Sequence, residues 1–547
     1  MIDSSGKTFD YANGILRLDC HSGVDACLSL LPKIESLESL NLVLLSPDAQ
    51  IHIPSGMISE LSRKLDKRGI PFIAESNRAF YCGLQTFKAL NSVEAKQNQL
   101  ARLHVFCAER ATLELPSFKA PLHTRSSHEV LTTVAIVGAG TMGGGIAMCF
   151  ASAGVKVILM DASEEGLEKG LQTIKKNYER SVIRGRITEE QYQQAFALIT
   201  CNLDFEALSE ADLLIEAVFE DMALKQTLFK RFDRYAKPGA ILATNTSTFD
   251  INEIAQVTRR PEDVIGLHFF SPANIMPLLE VVRTTYSSEE NINRAMSIAR
   301  SIHKTPVLAN ICYGFIGNRM MEVYAREAEA MVLEGASPEF VDKALENFGM
   351  AMGILRVFDM AGVDVGVKAH QANAGRFPPD PGYYQASQAL FDAGRLGQKS
   401  GAGFYLYHAG DRRAYEDKNA INIIRERAQS LGIKQRSDHT QEEVVERCLY
   451  PLMNEAFSIL EEGVALKASD IDVVWTLGYG FPREQGGPLY YAETLGLAKL
   501  LVGMLKYQSK FGEMHWKISP LLLDLVEKGQ SVNAWQAEKY ENVSIHS

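Results

Sequence analysis

The sequence predicts a doubly wound α/β sheet in the middle of the chain, two tandem all-α modules after it, and a small α/β region before it. Three observations predict this. Continuous apolar runs (TVAIV, VKVILM, DLLIEAV, GAILAT and VIGLHFF) recur between residues 133 and 270, with helical stretches between the earlier ones. Runs of that kind suit strands covered on both faces, as in a parallel sheet. After about Gly314 they give way to long amphipathic stretches. That second region also repeats itself: Asn318-Arg319, Glu327-Ala328 and Glu334-Gly335 return as Glu446-Arg447, Glu455-Ala456 and Glu462-Gly463, at a constant offset of 128 residues. Val341-Asp342 and Gly349 return as Ile471-Asp472 and Gly478 with small slips, so one helical unit is present twice.

The expected domains are therefore 1–130 for the N-terminal α/β region, 131–311 for the sheet domain, 312–410 for the first helical module and 411–547 for the second. In the N-terminal region, 14–18, 40–45 and 70–74 read as strands and 57–66 as an amphipathic helix. Residues 114–130, with two prolines, read as a linker. The stretch 375–440 is rich in glycine, proline and charge and is expected to carry loops.

Composition narrows the function. The chain has 547 residues, 46% hydrophobic and 22% charged, with a net charge of −11, enough apolar material for several cores. An acidic balance argues against nucleic-acid binding, which needs a basic surface. The eight cysteines are scattered without a CxxC, so neither disulfides nor a metal site are expected. No uninterrupted apolar run reaches membrane-spanning length. The start MIDSSGKTFD lacks the pattern of a secretory signal, and SIHS at the end is not serine-lysine-leucine, so a cytoplasmic location is expected.

Gly138-Ala139-Gly140-Thr141-Met142-Gly143 fits GxGxxG, a weak signal by itself. Here it follows a strand, opens a helix, and precedes Asp161 at the end of the next strand. Gly138 permits the tight turn, Gly140 lets a diphosphate approach the backbone, and Gly143 allows the helix to pack on the strand. The helix N-terminus offers free N–H groups to that diphosphate. Asp161 suits ribose hydroxyls and repels a 2′-phosphate, which favours NAD over NADP. FAD uses a similar fingerprint and remains the competing cofactor; a ligand-free strand–helix turn is the bland alternative.

Asn245-Thr246-Ser247-Thr248 follows a strand, at the carboxyl edge where doubly wound sheets bind ligands. His268 ends one apolar run and Glu280 lies in the next, with Ser271-Pro272 and Met276-Pro277 suggesting a turn between them. Side by side, the two runs would bring the carboxylate to the imidazole, fixing its tautomer as a general base requires. Against this, a histidine among apolar residues is usually a satisfied core residue, and a Ser/Thr cluster is usually a turn or helix cap. Their position on the fingerprint-bearing sheet favours the chemical reading.

VAIVGAGTMGGGIA, EAVFEDMALKQTLF, ATNTSTFDINEIA, GLHFFSPANIMPLLEVV and YGFIGNRMM, in this order, resemble the 3-hydroxyacyl-CoA dehydrogenases. The resemblance runs from about 132 to 505. With GQKSGAGFYLY between the helical copies, it is similar to the dehydrogenase half of multifunctional fatty-acid β-oxidation enzymes. It implies a Rossmann-type NAD-binding domain, two tandem C-terminal domains, and reversible NAD-dependent oxidation of (3S)-3-hydroxyacyl-CoA to 3-oxoacyl-CoA. It implies that His268 is the catalytic base, Glu280 its partner, and Ser247 and Asn318 the residues that bind substrate oxygens. Met142, Asp161, Glu220, Lys225, Ser247 and Ser271 are implied cofactor contacts beside Gly138, Gly140 and Gly143, although Ser271 stands where the family often has asparagine. Tyr491 is an implied substrate-side residue of the second copy.

The copies differ where it matters, because Asn318 aligns with Glu446 and only the first copy can donate an amide; one active site per chain is expected. In single-copy relatives two chains pair through this module, so a tandem copy implies a monomer. A thiolase is the expected partner. The region before the sheet faintly resembles a shortened crotonase-like hydratase domain, through GIPFIAESNRAFYCGLQ and ATLELPSF. Gln85 and Ser117 would stand where that family has catalytic glutamates, so no hydratase activity is expected. An unrelated cap domain is the alternative there.

Two other readings compete. A dehydrogenase of free β-hydroxy acids would need a cation for the carboxylate near His268, with Arg283 or Arg319 the candidates. A non-catalytic scaffold would have no use for His268, Glu280, Ser247 and Asn318 together. Lys175, Lys176, Arg184 and Arg186 either meet CoA phosphates or form a solvated helix face.

Overall fold

The computed structural model describes residues 93–113 and 131–545 apart from 378 and 412, together with five strands of the first ninety residues. It divides into two units, 1–104 with 118–126, and 105–117 with 127–547.

In the first unit, β1 (Phe9–Ala12), β2 (Ile15–Asp19), β3 (Leu42–Ser46), β4 (Phe72–Glu75) and β5 (Arg78–Tyr81) form a sheet in the order β1-β2-β3-β5-β4. Only β2 and β3 pair in parallel. The three strands expected from apolar runs are β2, β3 and β4, each starting one or two residues later than the sequence suggested. The expected helix at 57–66, the linker at 114–130, Gln85 and Ser117 lie outside the described residues. Helix α1 (Val93–Ala111) starts in the first unit and ends in the second.

The second unit is built on eight strands: β6 (Thr133–Val137), β7 (Lys156–Met160), β8 (Ile199–Asn202), β9 (Leu213–Glu216), β10 (Ile241–Thr244), β11 (Val264–Phe269), β12 (Leu278–Arg283) and β13 (Thr305–Asn310). Their order is β13-β12-β11-β10-β9-β6-β7-β8. From β6 to β11 all neighbours are parallel, and these six strands taken alone have the 3-2-1-4-5-6 order of dinucleotide-binding folds. β12 turns back antiparallel to β11, and β13 runs parallel to β12. Strands β6, β9, β10 and β11 are buried along their whole length, which is why they read as unbroken apolar runs.

Helices α2 (Thr141–Ser152), α3 (Glu164–Ile183), α4 (Glu189–Ala197), α5 (Met222–Tyr235), α6 (Ile251–Ala255) and α7 (Glu289–Ser301) accompany the sheet. α2 is apolar on every side because it is buried from Gly143 to Ala151. The more exposed helices start on side-chain caps: Ser163 for α3, Thr188 with Gln191 for α4, Asp221 for α5 and Ser288 for α7.

The helical part comprises α8 (Gly317–Leu333), α9 (Pro338–Phe348), α10 (Ile354–Ala361), α11 (Val363–Ala372), α12 (Gln385–Asp392), α13 (Lys418–Ser430), α14 (Gln441–Glu461), α15 (Ala468–Gly478), α16 (Pro488–Leu495), α17 (Leu497–Phe511), α18 (Pro520–Lys528) and α19 (Val532–Ile545). The repeat survives in three dimensions. Asp342 of α9 accepts from the Leu355 and Arg356 N–H groups at the start of α10, both at 3.0 Å. Asp472 of α15 accepts from the Leu489 and Tyr490 N–H groups at the start of α16, at 2.8 and 3.4 Å. Gly353 and Gly487 lie against these aspartates, where a Cβ would come within 2.2 and 2.3 Å of them. α8 and α14, the equivalent long helices, pack directly on each other.

The stretch that follows the expected boundary at 410 packs on the first helical copy. A division at 410 would cut α13 from the helices on which it rests, α12 and α8. Arg427 of α13 bonds Gln385 and Asp392 of α12 at 2.8 and 2.6 Å, and Arg395 bonds Asp417 at 2.6 Å. The glycine-rich loop that resembles a break folds back instead: the Phe404 and Tyr405 N–H groups donate to Asp359 of α10 at 2.8 and 2.9 Å. The copies part between α13 and α14. Among the described residues no helix is long and apolar enough to cross a membrane.

Candidate active site

The carboxyl edge of β6 carries the glycine turn. Gly138 has φ +111°, and a Cβ there would meet the Ala217 carbonyl oxygen at 2.5 Å. A Cβ on Gly143 would meet the Gly138 oxygen at 1.7 Å, so helix and strand approach only without it. Around Gly140 there is nothing within 4 Å of such an atom, and α2 starts there without a side-chain cap and without an acidic residue in its first turn. A diphosphate therefore finds open space and free N–H groups. Asp161, at the end of β7, accepts from the Ala139 and Ala162 N–H groups, each at 2.8 Å. Its carboxylate is thereby fixed beside the turn, with further lone pairs for ribose hydroxyls.

An ionic cluster, buried at Glu216 and Lys225 and exposed at Glu220, lies across the next two strand ends. Lys225, 1% exposed, bonds Glu216 at 2.8 Å and Glu220 at 3.1 Å. Glu216, on β9, also accepts from the Thr244 hydroxyl at 2.7 Å and the Val218 N–H at 2.8 Å. Glu220 accepts from the Thr246 hydroxyl and from the Ser247 N–H, the latter at 3.1 Å. Burial pushes the Glu220 carboxyl up, but Lys225 and these hydrogen bonds outweigh burial and hold it below the usual carboxylate range. Two carboxylates and one ammonium leave this cluster negative. Ser247 is thus fixed through its backbone, with its hydroxyl on a half-buried turn.

His268 and Glu280 are register partners on β11 and β12. The imidazole Nδ1 is 2.7 Å from Glu280 Oε2, and the two residues are 6% and 0% exposed. The other oxygen, Oε1, accepts from the Ile316 and Gly317 N–H groups at 3.2 and 3.1 Å, where α8 begins. Phe270 and Phe315 flank the imidazole at 4.6 and 5.7 Å between ring centroids. The Phe269 N–H donates to Asn245 Oδ1 at 2.8 Å, tying the Asn245–Thr248 turn to the strand end that bears His268. Asn318 follows Gly317 directly, and its Oδ1 accepts from the Tyr479 hydroxyl at 2.7 Å.

The structure thus joins His268, Glu280 and, through Gly317, Asn318, while Ser247, Glu220 and Lys225 form an adjoining cluster. Ser271 is exposed on the turn between β11 and β12. Met142 lies half-buried in the first turn of α2. Tyr491 stands apart from these contacts: it packs on Phe348 at 5.1 Å and lines a cavity of about 320 Å³ between α9, α14 and α16. Sequence reasoning missed Glu216, Thr244, Phe315 and Tyr479. Glu216 had left a signal, as a carboxylate inside the apolar run DLLIEAV. Among the described residues no group of His, Cys, Asp and Glu could hold a metal ion.

A 3-2-1-4-5-6 sheet with an uncapped glycine turn at its carboxyl edge defines the Rossmann class of nucleotide-binding proteins. Residues 133–312 match the 3-hydroxyacyl-CoA dehydrogenase NAD-binding domain, and 314–407 with 444–542 match the 3-hydroxyacyl-CoA dehydrogenase C-terminal domain. The chain belongs to the 3-hydroxyacyl-CoA dehydrogenase family, and its sheet domain is that family's NAD-binding domain. It is 39% identical over 420 residues to the peroxisomal bifunctional enzyme of Danio rerio, covering 74% of this chain and 58% of that one. It is 38% identical over 429 residues to the peroxisomal bifunctional enzyme of Homo sapiens, covering 76% and 58%. Among solved structures it resembles the dehydrogenase part of multifunctional enzyme 1 from C. elegans, with TM-score 0.57 and 32% identity over 77% of this chain and 96% of that one. It also resembles the 3-hydroxybutyryl-CoA dehydrogenase from Escherichia coli K12, with TM-score 0.62 and 29% identity over 73% and 99%. The chain spans about three fifths of the length of these curated relatives.

Proposed function

We propose that the chain oxidises (3S)-3-hydroxyacyl-CoA reversibly to 3-oxoacyl-CoA with NAD. The observation that carries this is the 2.7 Å contact of His268 with Glu280 at the carboxyl edge of an NAD-binding sheet. With Nδ1–H donated to Glu280, the imidazole keeps its lone pair on Nε2, where it accepts the proton of the 3-hydroxyl. Glu280, held by two backbone N–H groups, stabilises the imidazolium that forms. Bound NAD supplies the hydride acceptor at nicotinamide C4. Ser247 and Asn318 hold the hydroxyl and thioester oxygens in line.

Gly138, Gly140, Met142 and Gly143 receive the diphosphate, Asp161 the ribose, and Ser271 lies along the same edge. Glu220 and Lys225, with Glu216, face the nicotinamide end. The negative balance of that cluster suits a cationic nicotinamide ring. NADH formation from 3-hydroxyacyl-CoA substrates of rising chain length tests the activity. A chain that reduces NAD with free 3-hydroxy acids and ignores the thioesters would be of the competing kind.

The chain acts as a monomer in this reading, supported by reciprocal ion pairs between α8 and α14 that close one copy on the other. Sedimentation as an obligate dimer would contradict it. A thiolase is the proposed partner, to be sought by pull-down from native extract. No hydration of crotonyl-CoA is expected, on the identities of Gln85 and Ser117. The cytoplasmic expectation stands against relatives named peroxisomal and glyoxysomal, and fractionation of the native cells separates the two compartments.

A further inference from the structure

Tyr479 enters the candidate site from the second helical copy, just beyond the C-terminus of α15. Its hydroxyl reaches Asn318 Oδ1 at 2.7 Å. Its ring is wedged in place on three sides. Trp475 stacks on it at 4.8 Å, Phe270 meets it edge-on at 5.5 Å, and the Gly317 α-carbon lies beneath it. A Cβ on Gly317 would come within 2.3 Å of the ring, so this approach requires a glycine there. The same Gly317 donates its N–H to Glu280. One chain of contacts therefore runs from His268 through Glu280 and Gly317 to Tyr479, and returns to Asn318.

We propose that Tyr479 is a positioning residue: by donating to Asn318 Oδ1, it turns the Asn318 amide so that its Nδ2–H₂ faces the substrate oxygen. This rests on the reading of Asn318 as a substrate-binding residue. An asparagine side chain presents a carbonyl at one end and an amide at the other, and a half-turn exchanges them. Facing a thioester or hydroxyl oxygen, the amide end donates and the carbonyl end repels. In the structure the phenol donates to the carbonyl end, which leaves the amide end for the substrate. Burial, with the Glu280 carboxylate adding to it, raises the Tyr479 phenol well above its ordinary range, so it remains a donor at any working pH. Asn318 Oδ1 is thereby occupied. Among the described residues Asn318 Nδ2 makes no hydrogen bond, and Asn318 is half-buried rather than sealed.

The second copy thus does more than cover the first. It supplies a side chain to the first copy's site, while its own position equivalent to Asn318 is Glu446, which is already bonded by Lys506 and Tyr507 at 2.8 and 2.6 Å.

The test is a double-mutant cycle in the full chain with Tyr479→Phe, Asn318→Ala and both together, reading kcat and KM for a 3-hydroxyacyl-CoA and for NAD, and the Tm. Phenylalanine keeps the ring and its stacking. Tyr479→Phe is expected to lower kcat on the order of tenfold, the worth of one net hydrogen bond, with KM for NAD and Tm nearly unchanged. In the Asn318→Ala background it is expected to change nothing further, because a residue acting through another has no effect once that other is gone. Turnover within twofold of the parent for Tyr479→Phe, or effects that add in the double variant, would overturn the inference while leaving the site reading intact. Full turnover in Asn318→Ala would instead remove the reading of Asn318 on which the inference rests, and the inference with it.

Discussion

Arg447 Nε lies 2.8 Å from Glu327 Oε2 across the packed pair α8 and α14, and Arg319, its counterpart 128 residues earlier, makes the reverse contact to Glu455 at 2.6 Å. Each arginine also forks onto a second glutamate of the opposite copy, Arg447 onto Glu334 and Arg319 onto Glu462. Glu327 is equivalent to Glu455, and Glu334 to Glu462. Residue i of one copy thus meets residue j of the other, and j meets i, which is the signature of a two-fold self-complementary interface. Here it is closed inside one chain.

The two arms are unequal in burial, and that makes a prediction. Arg447 is 1% exposed and Glu327 3%, whereas the Arg319 side chain is 21% exposed and faces a half-exposed Glu462. Arg447→Met removes the shorter of the two arginine contacts of the buried Glu327, which keeps Arg326, and is expected to cost about 2–3 kcal/mol. Arg319→Met is expected to cost roughly 1 kcal/mol. Urea unfolding of both variants reads the difference; equal costs would mean that burial does not set the strength of this interface.

Asp161 makes the second prediction. Because its carboxylate is pinned by the Ala139 and Ala162 N–H groups, Asp161→Ser keeps some of the turn but loses the anion. NADH affinity, followed by fluorescence, is expected to fall about tenfold, and discrimination against NADPH to shrink, since the repelling charge is gone. Unchanged discrimination would move that role to another residue.

Most of this site could be read from residue order, because its parts lie on local patterns: a glycine turn after an apolar run, an acid at the next strand end, a histidine and a glutamate on adjacent apolar runs. β12 beside β11 was legible because a short proline-bearing turn separates the two runs. Tyr479 was not, since it reaches Asn318 across 161 positions of sequence and nothing local marks it. The ionic cluster was half legible: Glu220 and Lys225 came from the family resemblance, but Thr244 and Thr246 belong to it only because β10 lies beside β9. The packing around the expected boundary at 410 was hidden for a similar reason. Glycine-rich composition marks a loop, but Asp359 draws that loop back onto the first copy.

The third prediction concerns pH. Glu329 of α8 is 2% exposed and accepts from the Ser387 hydroxyl and N–H, and burial, with Glu322 nearby, pushes its carboxyl up to about 7. A carboxyl raised on folding stabilises the fold fully below its unfolded value and loses that contribution as pH rises to about 7. Glu329→Gln removes the titration. The Tm of the variant relative to the parent is therefore expected to climb between pH 5 and 7 and then level. A difference independent of pH would show that Glu329 is ionised in the fold throughout.

The central claim is that His268, steadied by Glu280, takes the proton from a 3-hydroxyacyl thioester. The direct measurement is steady-state NADH formation from a 3-hydroxyacyl-CoA by the parent chain and by His268→Ala, alongside NADH binding to each. The parent is expected to turn over. The variant is expected to lose about 10²–10⁴-fold in kcat, the usual worth of a general base, while binding NADH with nearly the parent's affinity. Turnover in His268→Ala within a few fold of the parent would contradict the account.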